Sequence, residues 1–257
     1  MANPINKENA IESCNFSLVF ERVFNKQELL SLSRLEQFFK DDLPLFQKIN
    51  SINLKLIDGI SSEQSQEVSG VVLQCFKTNG KTSWELKVEN NIFEVTCFEY
   101  TNWTAVWEKT QRYLLETIST LENNNKLLVC SLKTIDKFLS DENNYLVNDI
   151  FSSDTLYLTQ RILNDEKNKL WHVFQGWFEQ SDTKTYLQNL NIITALEENK
   201  IVTTIDHSTQ CHFFKNPQLI INFKNSELTT VFHELHEKNK EILKKLLNTT
   251  QLERIGL

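Results

Sequence analysis

The sequence of 257 residues predicts an α+β protein with antiparallel sheet and helices packed on one face, and three observations carry this prediction. In residues 84–97, apolar and charged side chains alternate, which is typical of a hairpin with one buried face. In residues 103–121, apolar residues recur at steps of three and four, which predicts a helix packed on that hairpin. Finally, strand, helix, meander and helix follow one another twice along the chain.

The first half, residues 1–125, is organised around this hairpin and helix. Thr101 or Asn102 can cap the helix, because either side chain accepts a hydrogen bond from a free amide of the first turn. The remaining predicted elements are a strand over 12–24, a helix capped by Asn25, a strand over 51–57, a solvated loop over 61–67 and a strand over 71–76.

The second half, residues 126–257, repeats this order of elements. The predicted elements are a strand over 127–139, a meander over 169–180, 186–198 and 200–214, and a last helix capped by Ser226. Ser131 and Leu132 echo Ser17 and Leu18, 114 positions earlier. We therefore expect two related α+β halves, packed together as one unit. The apolar end of the chain, Ile255 and Leu257, predicts a tail ordered against the body.

Composition narrows the function classes. With 27 basic and 34 acidic residues, the net charge of −7 disfavours nucleic-acid binding. The five glycines do not cluster, so phosphate-cradling loops are not expected. An odd number of dispersed cysteines predicts reduced thiols. Without an apolar span or a signal segment, the sequence predicts a cytoplasmic protein that uses neither a membrane nor a cofactor.

Four short motifs resemble those of a sporadically distributed, uncharacterised bacterial family of about this length. They are W-x-L at Trp84 and Leu86, W-x-x-x-W at Trp103 and Trp107, I-D-x-F at Ile135, Asp136 and Phe138, and H-x-x-N-K at His236, Asn239 and Lys240. The resemblance brings no activity, cofactor or catalytic residue. It implies a gene carried on mobile or defence-associated loci.

One catalytic pattern can be read in the sequence. Asp58, Glu85 and Lys87 match the loose pattern D…E-x-K of metal-dependent nucleases, in which two carboxylates bind Mg²⁺ and the lysine steadies the attacking water. Strand alternation places Glu85 and Lys87 on the face opposite Trp84, which is also what a charged, solvated sheet surface requires. The solvated surface is the favoured interpretation.

Metal binding has weak candidates among the histidines. His207, Cys211 and His212 offer three zinc ligands within six residues, but a fourth ligand must come from elsewhere, such as His172. A strand end with polar residues is the favoured interpretation. His233 and His236 lie three apart on the last helix, a spacing that allows shared ligation, although the apolar pattern favours placement at the surface.

Asn239 interrupts the apolar stripe of the last helix. A buried amide must be hydrogen-bonded or it costs about 1–3 kcal/mol. Asn239 therefore either fixes a loop or the chain end, or lines a pocket or interface together with His236.

The sequence as a whole favours a non-catalytic binding or regulatory protein that acts through a protein partner or self-association, because no catalytic constellation is convincing. The alternative is a divalent-metal nuclease that uses the D…E-x-K residues.

Overall fold

The computed structural model describes residues 2–57, 60–121, 125–164, 168–181, 184–213, 217–219 and 225–257. The strands are β1 (Asn3–Pro4), β2 (Ile11–Phe20), β3 (Leu45–Ile57), β4 (Ile60–Phe76), β5 (Thr82–Glu89), β6 (Ile92–Cys97), β7 (Lys126–Asp141), β8 (His172–Gln180), β9 (Thr185–Glu197), β10 (Lys200–His212) and β11 (Gln218–Leu219). The α-helices are α1 (Lys26–Ser31), α2 (Leu35–Phe38), α3 (Trp103–Ser119), α4 (Gln160–Asn164), α5 (Asn225–Leu246) and α6 (Thr249–Ile255).

All of these strands belong to one antiparallel sheet with the order β3-β4-β5-β6-β2-β7-β10-β9-β8. The short strands β1 and β11 both pair with β7. The middle of the sheet is the pair β2 and β7, in which Ser17 lies opposite Ser131. The two predicted halves thus meet at a pair of long strands, and the sheet ends at two open edges, β3 and β8.

The predicted fold class, α+β with helices packed on one face, is wrong. The described chain is mostly antiparallel sheet with few helices, and only α3 and α5 exceed seven residues. Residues 61–67, predicted as a loop, lie within β4 and pair with β3. The misjudged region is polar, and main-chain pairing needs no apolar side chains, so hydrophobic periodicity gives no signal for it.

The hairpin and its helix are confirmed. Trp84 lies opposite Cys97 in the β5–β6 pair, and alternate residues of both strands are buried. The Asn102 side chain accepts a hydrogen bond from the Ala105 amide and caps α3. Asn25 likewise caps α1. Ser226, predicted as a cap, lies inside α5 instead.

Buried apolar side chains form two clusters, and α5 contributes to both. Its first half places Leu235 and Phe232 in one cluster with Phe16 of β2 and Trp107 of α3. Its last turns add residues such as Leu246 to a second cluster, built with β9, β10 and the segment before α4. Helix α5 therefore spans the boundary between the predicted halves.

The end of the chain is ordered, as predicted. Helix α5 ends at Leu246, and Asn248 caps α6. Ile255 and Leu257 are partly buried and pack on the second cluster. Gln251 donates hydrogen bonds to the backbone oxygens of Ala2 and Asp149, so α6 joins the two chain termini.

Candidate functional site

The D…E-x-K residues do not form a described site. Asp58 lies outside the described residues. Glu85 accepts a hydrogen bond from the Gln74 amide at 2.6 Å, and Lys87 forms a 2.6 Å ion pair with Glu89. The hydrogen bond to Glu89 raises the pKa of Lys87. Both side chains are thus engaged by neighbours on the solvated sheet surface.

The three predicted zinc ligands on β10 lie on different faces. His207 and Cys211 are buried on the side of α5, whereas His212 lies on the opposite face, where its Nε2 is 3.1 Å from Gln210 Oε1. His172 lies on β8, where its ring contacts Asn191. The structure does not bring these side chains together.

Asn239 connects α5 to two strands of the sheet. Its Nδ2 donates to Thr134 Oγ1 at 2.8 Å and to His207 Nδ1 at 2.8 Å. Because Nδ1 accepts, Nε2 of His207 carries the proton and donates to Gln188 Oε1 at 3.1 Å. Thr209 donates to the same oxygen. These five side chains, which we call the polar belt, cross the core between the two apolar clusters.

Burial gives the polar belt a fixed charge state. It lowers the pKa of His207 to about 4, so the imidazole is neutral at pH 7. Next to it, burial raises the pKa of Asp136 to about 7, and its Oδ2 has no hydrogen-bond partner among the described residues. A carboxyl group with such a pKa can transfer protons only if a substrate reaches it. Asp136 is 2% exposed, which favours a structural role.

His236 belongs to a stack of aromatic rings between α3 and α5. Its imidazole lies parallel to Trp103 with 3.8 Å between the ring centroids, and Trp103 stacks in turn on Trp107. Burial, together with the nearby charge of Lys240, lowers the pKa of His236 to about 4. The predicted interface pair, His236 and Asn239, therefore occupies two different environments, a ring stack and the polar belt.

A cleft of about 1270 Å³ lies between the β4–β5 turn and the start of α3. Its walls include Trp84, Tyr100 and Lys109, and the Lys109 ammonium lies 4.6 Å from the centre of the Trp84 ring. Along this cleft, the Lys77 ammonium pairs with the Glu99 carboxylate at 3.4 Å.

The edge strand β8 exposes large aromatic side chains. Phe174 and Phe178 are 65% and 66% exposed, and both lie on the face that α5 does not cover. Gly176 separates them, and a Cβ there would lie 3.2 Å from Asn189 Oδ1. The sequence carries a signal for this feature, because apolar residues occupy both faces of HVFQGWF rather than one.

Within the described part of the chain, no strand pairs with the outer side of β8. Among the described strands, β8 pairs only with β9. The Thr194 amide donates to the Trp171 carbonyl, so Trp171 and the odd-numbered residues after it form the hydrogen-bonded pairs with β9. The even-numbered residues direct their N–H and C=O groups outward: they are His172, Phe174, Gly176, Phe178 and Gln180.

The two open edges differ in their protection. Strand β3 carries the exposed Lys48, and an edge lysine disfavours pairing with another chain. Strand β8 has neither lysine nor proline, and its one charged residue, Glu179, pairs with Lys238 on the side of α5. Of the two, β8 is the edge suited to receive another strand.

Comparison with models of known protein families finds no match, and no curated protein matches the chain. The resemblance to an uncharacterised bacterial family thus stays a prediction. No described helix is both long and apolar enough to cross a membrane.

Proposed function

We propose that the chain is a non-catalytic binding protein that associates through the free edge of β8. The observation that carries this proposal is the exposure of Phe174 and Phe178 on a strand whose outer backbone groups pair with no other described strand. An added strand satisfies such groups by main-chain hydrogen bonds, while alternate side chains confer specificity. The exposed rings then lose their contact with water, which favours association.

The sequence of β8 is suited to pairing with a second copy of itself. It is symmetric around Gly176, with phenylalanine two residues before and two residues after. In an antiparallel pair centred on Gly176, Phe174 lies opposite Phe178 of the second copy, and His172 lies opposite Gln180. Such a two-fold interface uses the same surface on both subunits.

This register also matches the hydrogen-bonding directions of the strand. The five residues with outward backbone groups face the same five residues of the second copy, which forms about ten hydrogen bonds. Gly176 faces its own equivalent at the centre, where the neighbouring aromatic rings can cover the space that glycine leaves. A register shifted by one residue would place free groups opposite bonded ones.

The test is the molar mass in solution, measured by light scattering after size-exclusion chromatography over a range of protein concentrations. We expect a dimer that dissociates in the double variant Phe174→Lys and Phe178→Lys, because the new charges repel across the pair. Phe38→Lys is the matched control, since Phe38 is an aromatic residue 59% exposed on α2. This control should remain dimeric.

A wild-type chain that is monomeric at every concentration would overturn self-association through β8. The same holds for a dimer that survives both lysine substitutions. Circular dichroism of each variant verifies that the fold is retained, so that loss of the dimer is not confused with unfolding.

A further inference from the structure

Three potential metal ligands lie on one side of α5. His233, His236 and Glu237 follow the spacing i, i+3 and i+4, which brings side chains together on a helix. One ligand atom from each lies within 4.8 Å of the others. This cluster is separate from the β8 edge and from the polar belt.

The ring of His236 is already held in place. It stacks on Trp103 at an interplanar angle of 4°, and its buried Nδ1 has no hydrogen-bond partner among the described residues. The nearest acidic group is Glu237, whose Oε1 lies 3.7 Å from that nitrogen. An imidazole that is oriented by stacking, and whose Nδ1 has no partner among the described residues, needs little reorganisation to bind a metal.

We propose that His233, His236 and Glu237 bind a divalent transition-metal ion of the Zn²⁺ class. Imidazole nitrogen and carboxylate oxygen are ligands that zinc accepts at about 2.0–2.2 Å, and three protein ligands leave a position for water. His233 is exposed, so its side chain is free to rotate. Small side-chain rotations of His233 and Glu237 would bring their ligand atoms around one ion next to the fixed ring of His236. Copper and nickel suit the same imidazole ligands.

Lys240 competes with the metal. Its ammonium lies 3.0 and 3.3 Å from the two carboxylate oxygens of Glu237, so it must move away when an ion binds. Removal of the lysine should therefore tighten metal binding. An increase in metal affinity on removal of Lys240 would support the site, because a lysine that only stabilises the helix would not compete with the ion for Glu237.

The experiment is a calorimetric titration of chelator-treated protein with Zn²⁺, paired with Cu²⁺ quenching of tryptophan fluorescence. We expect one equivalent of Zn²⁺ and quenching by Cu²⁺, because Trp103 contacts the ligand ring. His236→Phe keeps an aromatic ring on Trp103 but removes the nitrogens, so it should abolish the one-equivalent step. His233→Ala should weaken binding, and Lys240→Ala should strengthen it.

His172→Ala is the matched control, since it removes an exposed histidine on β8 and should leave the titration unchanged. Absence of stoichiometric Zn²⁺ binding would overturn the proposal. Binding that persists in His236→Phe would place the ion elsewhere on the chain and would also overturn it. Because the variants on α5 leave β8 unchanged, their dimerisation should not change.

Discussion

At the scale of single residues, Asn239 supplies two of the hydrogen bonds within the polar belt. Replacement of Asn239 by leucine removes the donor to Thr134 and to His207 Nδ1. A buried acceptor without a partner costs about 1–3 kcal/mol, so urea denaturation at pH 7 should show a loss of that size. Glu241→Ala, at an exposed position of the same helix, is the control. An unchanged unfolding midpoint in Asn239→Leu would contradict this role.

Asp136 makes the stability depend on pH. Its pKa is about 7 in the folded protein and 3.8 ordinarily, so between these values the folded chain holds a proton that the unfolded chain releases. Stability therefore falls as the pH rises through this window. His207, with its pKa lowered to about 4, acts in the opposite direction, with stability lost as the pH falls from about 6.5 towards 4.

Comparison of the wild type with Asp136→Asn isolates the contribution of Asp136 to the pH dependence, because His207 is present in both proteins. The variant should gain stability relative to the wild type as the pH rises from 5 to 7, by up to about 1.4 kcal/mol per pH unit. Denaturation series at several pH values measure this difference. Asp154→Asn, at an exposed position, should show no such trend. A pH-independent difference for Asp136→Asn would exclude the raised pKa.

The sequence predicts part of this site and not the rest. Asn239 could be recognised as unusual because it interrupts an apolar stripe, and its need for partners follows from the cost of a buried amide. The partners themselves could not be predicted, since Thr134 lies 105 residues away. Likewise, three-residue spacing marks His233 and His236, but only the fold shows that Trp103 orients one of them.

At the scale of elements, α6 depends on a single capping residue. The Asn248 side chain accepts from the Gln251 amide at 2.9 Å and donates to the Asn148 carbonyl. Asn248→Ala loses the cap, worth about 1 kcal/mol, which lowers the melting temperature by about 2–4 °C in a chain of this size. Asn248→Asp keeps the cap acceptor, so it should retain most of the stability. Equal decreases in melting temperature in both variants would show that the hydrogen bond donated to the Asn148 carbonyl, rather than the cap, stabilises α6.

The accuracy of the predicted elements follows the strength of their periodicity. The β5–β6 hairpin and α3 were predicted because one face of each is continuously apolar and buried. The helix predicted after Asn25 is instead divided into α1, a 3₁₀ turn and α2, where Leu30 and Phe38 are both 59% exposed. When the apolar residues of a short segment lie on several sides, they do not form one buried face. Their periodicity therefore predicts a longer helix than the structure contains.

At the scale of the whole molecule, the order of the strands in the sheet could not be predicted from the sequence. Alternation identifies strands but does not say which strands pair, and the β2–β7 contact joins residues more than 100 positions apart. The same contact makes one sheet of the segments expected to form two halves. Each half contributes a contiguous part of this sheet, β3-β4-β5-β6-β2 or β7-β10-β9-β8, and the pair β2–β7 joins the two parts.

The two predicted halves, 1–125 and 126–257, should therefore fail to fold separately. Fragment 1–125 would expose the long edge of β2, and it would lose Phe232, whose ring lies 5.5 Å from Phe16 and 5.0 Å from Trp107. Unpaired edges of this length promote aggregation. We expect each fragment alone to lack cooperative thermal unfolding, whereas the two co-expressed fragments should associate and regain it. Cooperative unfolding of fragment 1–125 by itself, compared with the full chain in the same buffer, would show that the halves are independent domains and that the β2–β7 pair only joins them.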